Sequence, residues 1–360
     1  MIDLKFNYPI VGTEQGIMDA FFAYAQPKIN TYLQFPPYQG IADHLNIAAD
    51  YLQVTTPIAN GKSTIVQTNS GNASLAIILQ TLQPNHQHII IEPYTYPTFI
   101  EQARCYGYTL HAAETDEQGI TIDSIVALYK RTNASIIYVQ PTIQNPTCTV
   151  MDTARREAIA AYAIAHDILL IEDDAYRFLH PNPLVRFVDV APSQTFHVYS
   201  LAKPFNPFIK TAYIIAPKVY EAALVTAIRW FNSGPSTLMS ALAVFLMQNG
   251  HLDALIRTKQ QLASQKQQAL QPYLKQLPHQ TYPTSFHLWA ALPKHIAPDV
   301  LMQQLAQQQV SIPNTLDMTV QHSSTTNHPY IRIALGIEND IAQLEKAMGI
   351  LLAQLHSFEL

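Results

Sequence analysis

Apolar residues in this chain fall into short blocks separated by Pro and Gly, and the blocks alternate in period. Six of them are rich in β-branched and aromatic residues: STIVQT (63–68), HIIIE (88–92), SIIYVQ (135–140), DILLIE (167–172), TFHVYS (195–200) and TAYIIA (211–216). Each is short, apolar at most positions and bounded by turn residues, which predicts strands buried on both faces. Between several of them the spacing changes to a helical one, over Ala73–Leu82, Tyr96–Tyr106 and Thr153–His166, with Asp152 placed to cap the last. Strands alternating with helices predict an α/β protein with a mainly parallel sheet covered by helices. In such sheets a ligand sits beyond the carboxyl ends of the strands.

The texture changes near residue 240. A long amphipathic stretch, Leu252–Leu274, predicts a helix that Pro272 ends. Two strand candidates follow, FHLWAAL (286–292) and YIRIAL (330–335), and a helix closes the chain. The pattern predicts a large domain over 41–245 and a smaller α+β domain over 246–360, with the N-terminal arm, 1–40, joined to the smaller one. A length of 360 residues agrees with two such bodies.

Composition narrows the class. Apolar residues make up 48% and charged residues 13%, the balance of a folded globular chain. The net charge of −5 and the lack of any Lys/Arg run argue against a nucleic-acid partner. Cys105 and Cys148 form neither a disulfide framework nor a metal-ligand spacing, so no metal and a reducing, cytoplasmic setting are expected. The N-terminus lacks the pattern of a signal peptide, and no apolar run is long enough to span a bilayer.

Chemistry is sought just past each strand. After STIVQT, Ser70-Gly71-Asn72 opens a helix whose free N–H groups could hold a phosphate, or simply be capped by Ser70. After HIIIE, Tyr96 could stack on a flat ring or pack in the core. After SIIYVQ, Asn145-Pro146 is a turn signal whose amide could also face a ligand. After DILLIE come Asp173 and Tyr176; an acid at the end of a buried strand needs a partner, such as a pyridinium N–H, unless it caps a helix. After TFHVYS, Ser200 precedes Lys203, whose amine is a candidate Schiff-base former if desolvated, and otherwise snorkels outward. Lys210 offers a second cation seven residues later. Each of these is ordinary alone, but their order along successive strands describes one sheet-edge cofactor site.

The series QNPT, RREAIAAYA, IEDDAY and YSLAK resembles the fold-type-I pyridoxal-phosphate (PLP) aminotransferases over nearly the whole chain. The resemblance is to the group that holds aminoadipate and kynurenine aminotransferases and the aminotransferase-like domain of MocR regulators. With no DNA-binding domain ahead of it, the expectation is an enzyme rather than the regulator. The resemblance implies the PLP-dependent transferase fold, with a sheet of the seven-stranded type. It implies that Lys203 binds PLP covalently and serves as general base, and that Asp173 pairs with the pyridine nitrogen. Tyr176 and Asn145 would hydrogen-bond the phenolic oxygen, and Tyr96 would stack on the ring. Ser70, Gly71, Asn72, Ser200 and Lys210 would hold the phosphate. Arg332, with Asn145 beside it, would bind the substrate α-carboxylate, and the NYPIVG segment would pass over the site. The implied activity is ping-pong transfer of an amino group between an α-amino acid and a 2-oxo acid, in a homodimer with sites at the interface.

Three positions depart from the family pattern. Lys210 stands where an arginine is usual, Phe35 where a partner-subunit tyrosine is usual, and Cys148 where the NPTG turn has glycine. These bear on phosphate binding and turn geometry, not on Lys203, Asp173, Asn145, Tyr176 or Arg332. A PLP-dependent lyase, decarboxylase or oxidase on the same scaffold, or a PLP-binding protein without turnover, stays open. The apolar, Tyr-rich composition points toward an aromatic or aliphatic substrate.

Overall fold

The computed structural model describes residues 1–182, 184–320 and 329–358. Its largest sheet has seven strands: β1 (Ser63–Thr68), β2 (His88–Ile91), β3 (Thr109–Ala112), β4 (Ile136–Val139), β5 (Leu169–Asp173), β6 (Thr195–Ser200) and β7 (Ala212–Pro217). Their spatial order is β1-β7-β6-β5-β4-β2-β3. All pairings are parallel except those of β7, which runs antiparallel to both neighbours. The expected mainly parallel α/β architecture is therefore present. Six strands coincide with the apolar blocks, while β3 is the edge strand that the pattern does not reveal. Its residues are only partly buried, so the apolar run that marks the other strands is missing.

The two-residue period divides the interior. Ile89, Ile91, Tyr138 and Ile171 enter one core, and Ile90, Ile137, Val139 and Leu170 enter another across the sheet. Helices close both faces. Gly71–Leu82 and Pro97–Cys105 pack against the first core, and Thr153–Ala165 against the second. Asp152 caps Thr153–Ala165 as expected, accepting from the Arg155 N–H at 2.8 Å.

The second body is a three-stranded antiparallel sheet, β8 (His279–Thr281), β9 (His287–Ala291) and β10 (Tyr330–Ala334). Leu288, Ala290, Ile331 and Ile333 share a core with Leu270, Leu274, Leu344 and Leu351 from the long helix His251–Leu274 and the final helix Ile341–Ser357. Helix His251–Leu274 runs two residues past Pro272, rather than ending at it. A proline so near the C-terminus removes one hydrogen bond and leaves few turns to disrupt. The N-terminal arm joins both bodies. Ile2–Asp3 pairs in parallel with Val310–Ser311, and Leu4 lies in the smaller core. Farther on, Phe21 and Ala25 of helix Glu14–Ala25 pack with Tyr213, Ile215 and Phe245 beneath the large sheet.

The alternation on β9 and β10 sets the direction of one arginine. Ile331 and Ile333 point into the small core, so Arg332 between them points the other way, as does its register partner Trp289. That face looks onto the carboxyl edge of the large sheet.

Candidate active site

A cavity of about 400 Å³ opens at that edge. Thr68, Ser200 and Ala212 lie side by side in the register of β1, β6 and β7. Because β7 is antiparallel, its entering segment delivers Lys210 to the same edge at which β6 delivers Lys203. The eleven candidate site residues all line the cavity, namely Ser70, Gly71, Asn72, Tyr96, Asn145, Asp173, Tyr176, Ser200, Lys203, Lys210 and Arg332, while Phe35 and Cys148 do not.

Lys203 is half-buried, and its Nζ donates to the backbone carbonyl of Asn7 at 2.5 Å. The ring of Tyr8 lies 4.0 Å away. Burial, reinforced by the field of Arg332 and opposed by Asp173, lowers the amine to about 7. A lysine in that range carries a substantial neutral fraction at neutral pH.

Asp173 ends β5 and is buried. Its Oδ2 accepts from the Tyr138 hydroxyl at 2.9 Å, and Gln140 Nε2 donates to that hydroxyl at 3.0 Å. Burial lifts the carboxyl to about 6, against the hydrogen bond from Tyr138. Glu172, on the opposite face of the strand, is used internally, in a 2.8 Å pair with His197. A carboxylate that is partly destabilised by burial is the one that gains from a cationic hydrogen-bond donor placed in the cavity.

Arg332 is buried and points at the cavity mouth. Its guanidinium donates to Asn145 Oδ1 at 2.8 Å and to the Lys5 carbonyl at 2.6 Å, and its Nε has no partner. Among the described residues no carboxylate pairs with it. A buried guanidinium without a counter-ion is a prepared seat for an incoming carboxylate.

The loop that carries Asn145 is pinned from below by Arg156, which is fully buried. Arg156 donates to the carbonyls of Met151 (2.9 Å), Val185 (3.0 Å) and Pro141 (2.7 Å). This is the physical role of one arginine in the RREAIAAYA series. Cys148, in place of the glycine of that turn, adopts φ 63° and donates Sγ to the His287 carbonyl at 3.2 Å. Burial pushes its thiol up to about 12, so it is an inert structural thiol.

At the other end of the cavity, Ser70 caps helix Gly71–Leu82, its Oγ accepting from the Ala73 N–H at 3.1 Å. The cap and the anion-site readings are compatible, because the cap uses Ser70 only as an acceptor and Ser70, Gly71 and Asn72 all line the cavity. Gly71 is needed for space: a Cβ there would meet Ser200 Cβ at 3.3 Å. Tyr96 is held over the cavity by its hydroxyl, which donates to Asn72 Oδ1 at 2.7 Å. Lys210 is exposed, and Phe35 is 70% exposed.

Four further residues belong to the site, two of them, Asn7 and Tyr8, from the NYPIVG segment expected over it. Lys5, Asn7 and Tyr8 come from the arm, which passes over the cavity, and His287 lies behind it on β9. A histidine at an alternate position of an otherwise apolar strand, FHLWAAL, is the one signal that could have drawn attention to His287.

The fold is shared with solved aminotransferases. The chain matches the kynurenine aminotransferase of Pyrococcus horikoshii, solved in complex with PMP, at a TM-score of 0.91 and 16% identity, covering 100% of this chain and 91% of that one. It matches LysN, the α-aminoadipate aminotransferase of Thermus thermophilus, at a TM-score of 0.89 and 18% identity, covering 99% and 93%. In sequence it is similar to the HTH-type transcriptional regulator YdeF of Bacillus subtilis (strain 168), 24% identical over 229 residues, which are 64% of this chain and 50% of the regulator. The chain thus matches about half the length of that relative. The 2-aminoadipate transaminase of Thermus thermophilus is 21% identical over 289 residues, 78% of this chain and 71% of that one. The family model for aminotransferase class I and II matches residues 2–349, and the chain belongs to that family.

Proposed function

We propose that this protein is a PLP-dependent aminotransferase that moves an amino group between an α-amino acid and a 2-oxo acid in two alternating half-reactions. The observation that carries the reading is the convergence of three groups from separate strands on one cavity: the Lys203 amine near neutrality, the buried Asp173 and the counter-ion-free Arg332.

The residues fit PLP. Ser70, Gly71, Asn72, Ser200 and Lys210 supply hydroxyls, N–H groups and a charge for a phosphate at a helix N-terminus. Asp173 would pair with the pyridine nitrogen, Tyr96 would stack on the ring, and Tyr176 and Asn145 would hydrogen-bond the phenolic oxygen, all four residues lining the one cavity. When bound, PLP supplies an electron sink for the bonds at the substrate's α-carbon. Lys203 would hold the cofactor and, with its lowered basicity, would take the proton from the substrate's α-carbon as general base. Arg332 fixes the α-carboxylate and Asn145 holds the guanidinium in place.

Phe6, Tyr8, Met302 and Met318 line the cavity, and these largely apolar side chains support an aromatic or aliphatic amino acid as substrate. The homodimer is supported by exposed Leu33, Phe35, Phe208 and Trp230. No helix among the described residues is long and apolar enough to cross a membrane. A cytoplasmic setting is supported by the two unpaired cysteines.

The test is spectroscopic. Protein loaded with PLP is expected to show a visible band that borohydride removes and Lys203→Ala abolishes. A panel of amino acids should convert it to the pyridoxamine form, and a 2-oxo acid should restore it. Consumption of an amino acid with no net conversion to the pyridoxamine form would assign the site to lyase, decarboxylase or oxidase chemistry, and no band at all would end the PLP reading.

A further inference from the structure

The arm over the cavity makes a polar contact that the proposed chemistry leaves unused. Asn7 is 4% exposed, and its Nδ2 donates to the Tyr176 hydroxyl at 3.0 Å and to His287 Nδ1 at 3.0 Å. The histidine fixes which way this amide faces. His287 Nε2 lies 3.0 Å from the Gln144 carbonyl, which only accepts, so Nε2 carries the proton and Nδ1 is the acceptor. Ser285 Oγ is 3.2 Å from Nδ1, but it donates to the His287 carbonyl at 2.8 Å. Burial keeps the imidazole neutral, at about 3. The opposite amide orientation would set Asn7 Oδ1 against a lone pair, so both amide hydrogens are committed.

The Tyr176 hydroxyl has one hydrogen and accepts from Asn7. The groups that face it are Asn7 from the arm, His287 from β9, Arg332 from β10, Lys203 after β6, and the phenols of Tyr8 and Tyr96, and among the described residues the Tyr176 hydroxyl donates to none of them. Asn7 spends its amide on donation, His287 Nδ1 is taken, and Arg332 and Lys203 are donors. The hydroxyl hydrogen is therefore directed into the cavity.

We propose that Asn7 is a positioning residue that holds the Tyr176 hydroxyl as a donor toward the cavity, and hence, on the PLP reading on which this rests, toward the cofactor's phenolic oxygen. The same residue accepts from the Lys203 amine on its backbone carbonyl, so one arm residue touches both Lys203 and Tyr176. Donation to the phenolic oxygen stabilises its negative charge and favours the deprotonated chromophore. Removing Asn7 weakens that donation and raises the pH at which the bound chromophore loses its proton.

The experiment titrates the visible band of the PLP-loaded full chain against pH. For Asn7→Ala the midpoint is expected to rise by about one pH unit, the size of one hydrogen bond. For the isosteric Asn7→Asp it should rise further, because a carboxylate accepts the Tyr176 hydrogen for itself; this variant also serves if the alanine form folds poorly. Tyr176→Phe should raise the midpoint too, and adding Asn7→Ala to it should change nothing more, since the effect runs through the hydroxyl. An unchanged midpoint in Asn7→Ala and Asn7→Asp, or an effect that adds in full to that of Tyr176→Phe, overturns the assignment while leaving the PLP reading intact. A wild-type chain without a visible band overturns both.

Discussion

The ammonium of Lys259, a fully buried residue of helix His251–Leu274, donates to the backbone carbonyl of Lys203 at 3.1 Å and to that of Phe205 at 2.6 Å. The loop that presents the Schiff-base candidate is thus hung from a second lysine, with Glu14 Oε1 of the arm 3.9 Å away.

Lys259→Met is expected to destabilise the chain by about 1–3 kcal/mol, the cost of leaving buried carbonyls unpartnered. Its charge also lowers the Lys203 amine, so the variant's Lys203 should rise above about 7. Burial lowers Lys259 itself to about 8, below its unfolded value, so the unfolded chain binds more protons between pH 8 and roughly 10. Wild-type stability therefore gains a rising component across that window, and the variant lacks it. Urea unfolding at pH 7 and pH 10 measures both; equal midpoints for the two proteins would sink the idea.

His287 acts with the same sign at lower pH. Its folded value, about 3, lies below the unfolded one near 6.5, so acid protonates the unfolded chain first. Stability falls as pH drops through 6.5 and goes on falling toward 3. His287→Gln is expected to be less stable at pH 7 but to lose less between pH 6.5 and pH 4. Parallel stability curves for the two proteins over that range would contradict this.

Gly336 is a contact point for the arm. A Cβ there would sit 2.6 Å from the Tyr8 nitrogen and 2.8 Å from its carbonyl carbon, both backbone atoms. Gly336→Ala must therefore lift Asn7 and Tyr8 from the cavity. We expect faster proteolytic cleavage within the arm and a loss of at least about tenfold in kcat/KM, the effect of displacing a positioning group. Wild-type protection and activity in this variant would show that the arm is not seated there.

At the anion end, Gly71→Ala sets two effects against each other. Alanine in the helix gains up to about 1 kcal/mol over glycine. The new Cβ, however, would press on Ser200 Cβ at 3.3 Å and Oγ at 3.6 Å, across the proposed phosphate site. Thermal stability of the unloaded protein should change little, while PLP affinity falls by roughly tenfold, or about 1.4 kcal/mol. Equilibrium dialysis against PLP decides it, an unaltered Kd being the outcome that counts against the site.

Much of this molecule is legible along the chain because two of its signals are local. Strands buried on both faces must be apolar throughout, and β1, β2 and β4–β7 announce themselves for that reason. Residues just past a strand end share one edge of a parallel sheet, so Ser70, Tyr96, Asn145, Asp173 and Lys203 group together from their order alone. The half-exposed β3 has no such run and carries no mark. The family resemblance puts the arm over the site, but only its packing against Gly336 and Tyr176 shows what it does there.

Periodicity and chain adjacency thus settle the order of elements and which residues stand at their ends, and both can be read from the amino acids without coordinates. The direction of β7 cannot, and it is that direction which brings Lys210 to Lys203. Nor can the fact that Lys259 and Asn7, 56 and 196 residues from Lys203, both bind it. Contacts of that separation form when two bodies and an arm pack together, and no local pattern encodes a hydrogen bond whose partners are brought together only by the closed fold.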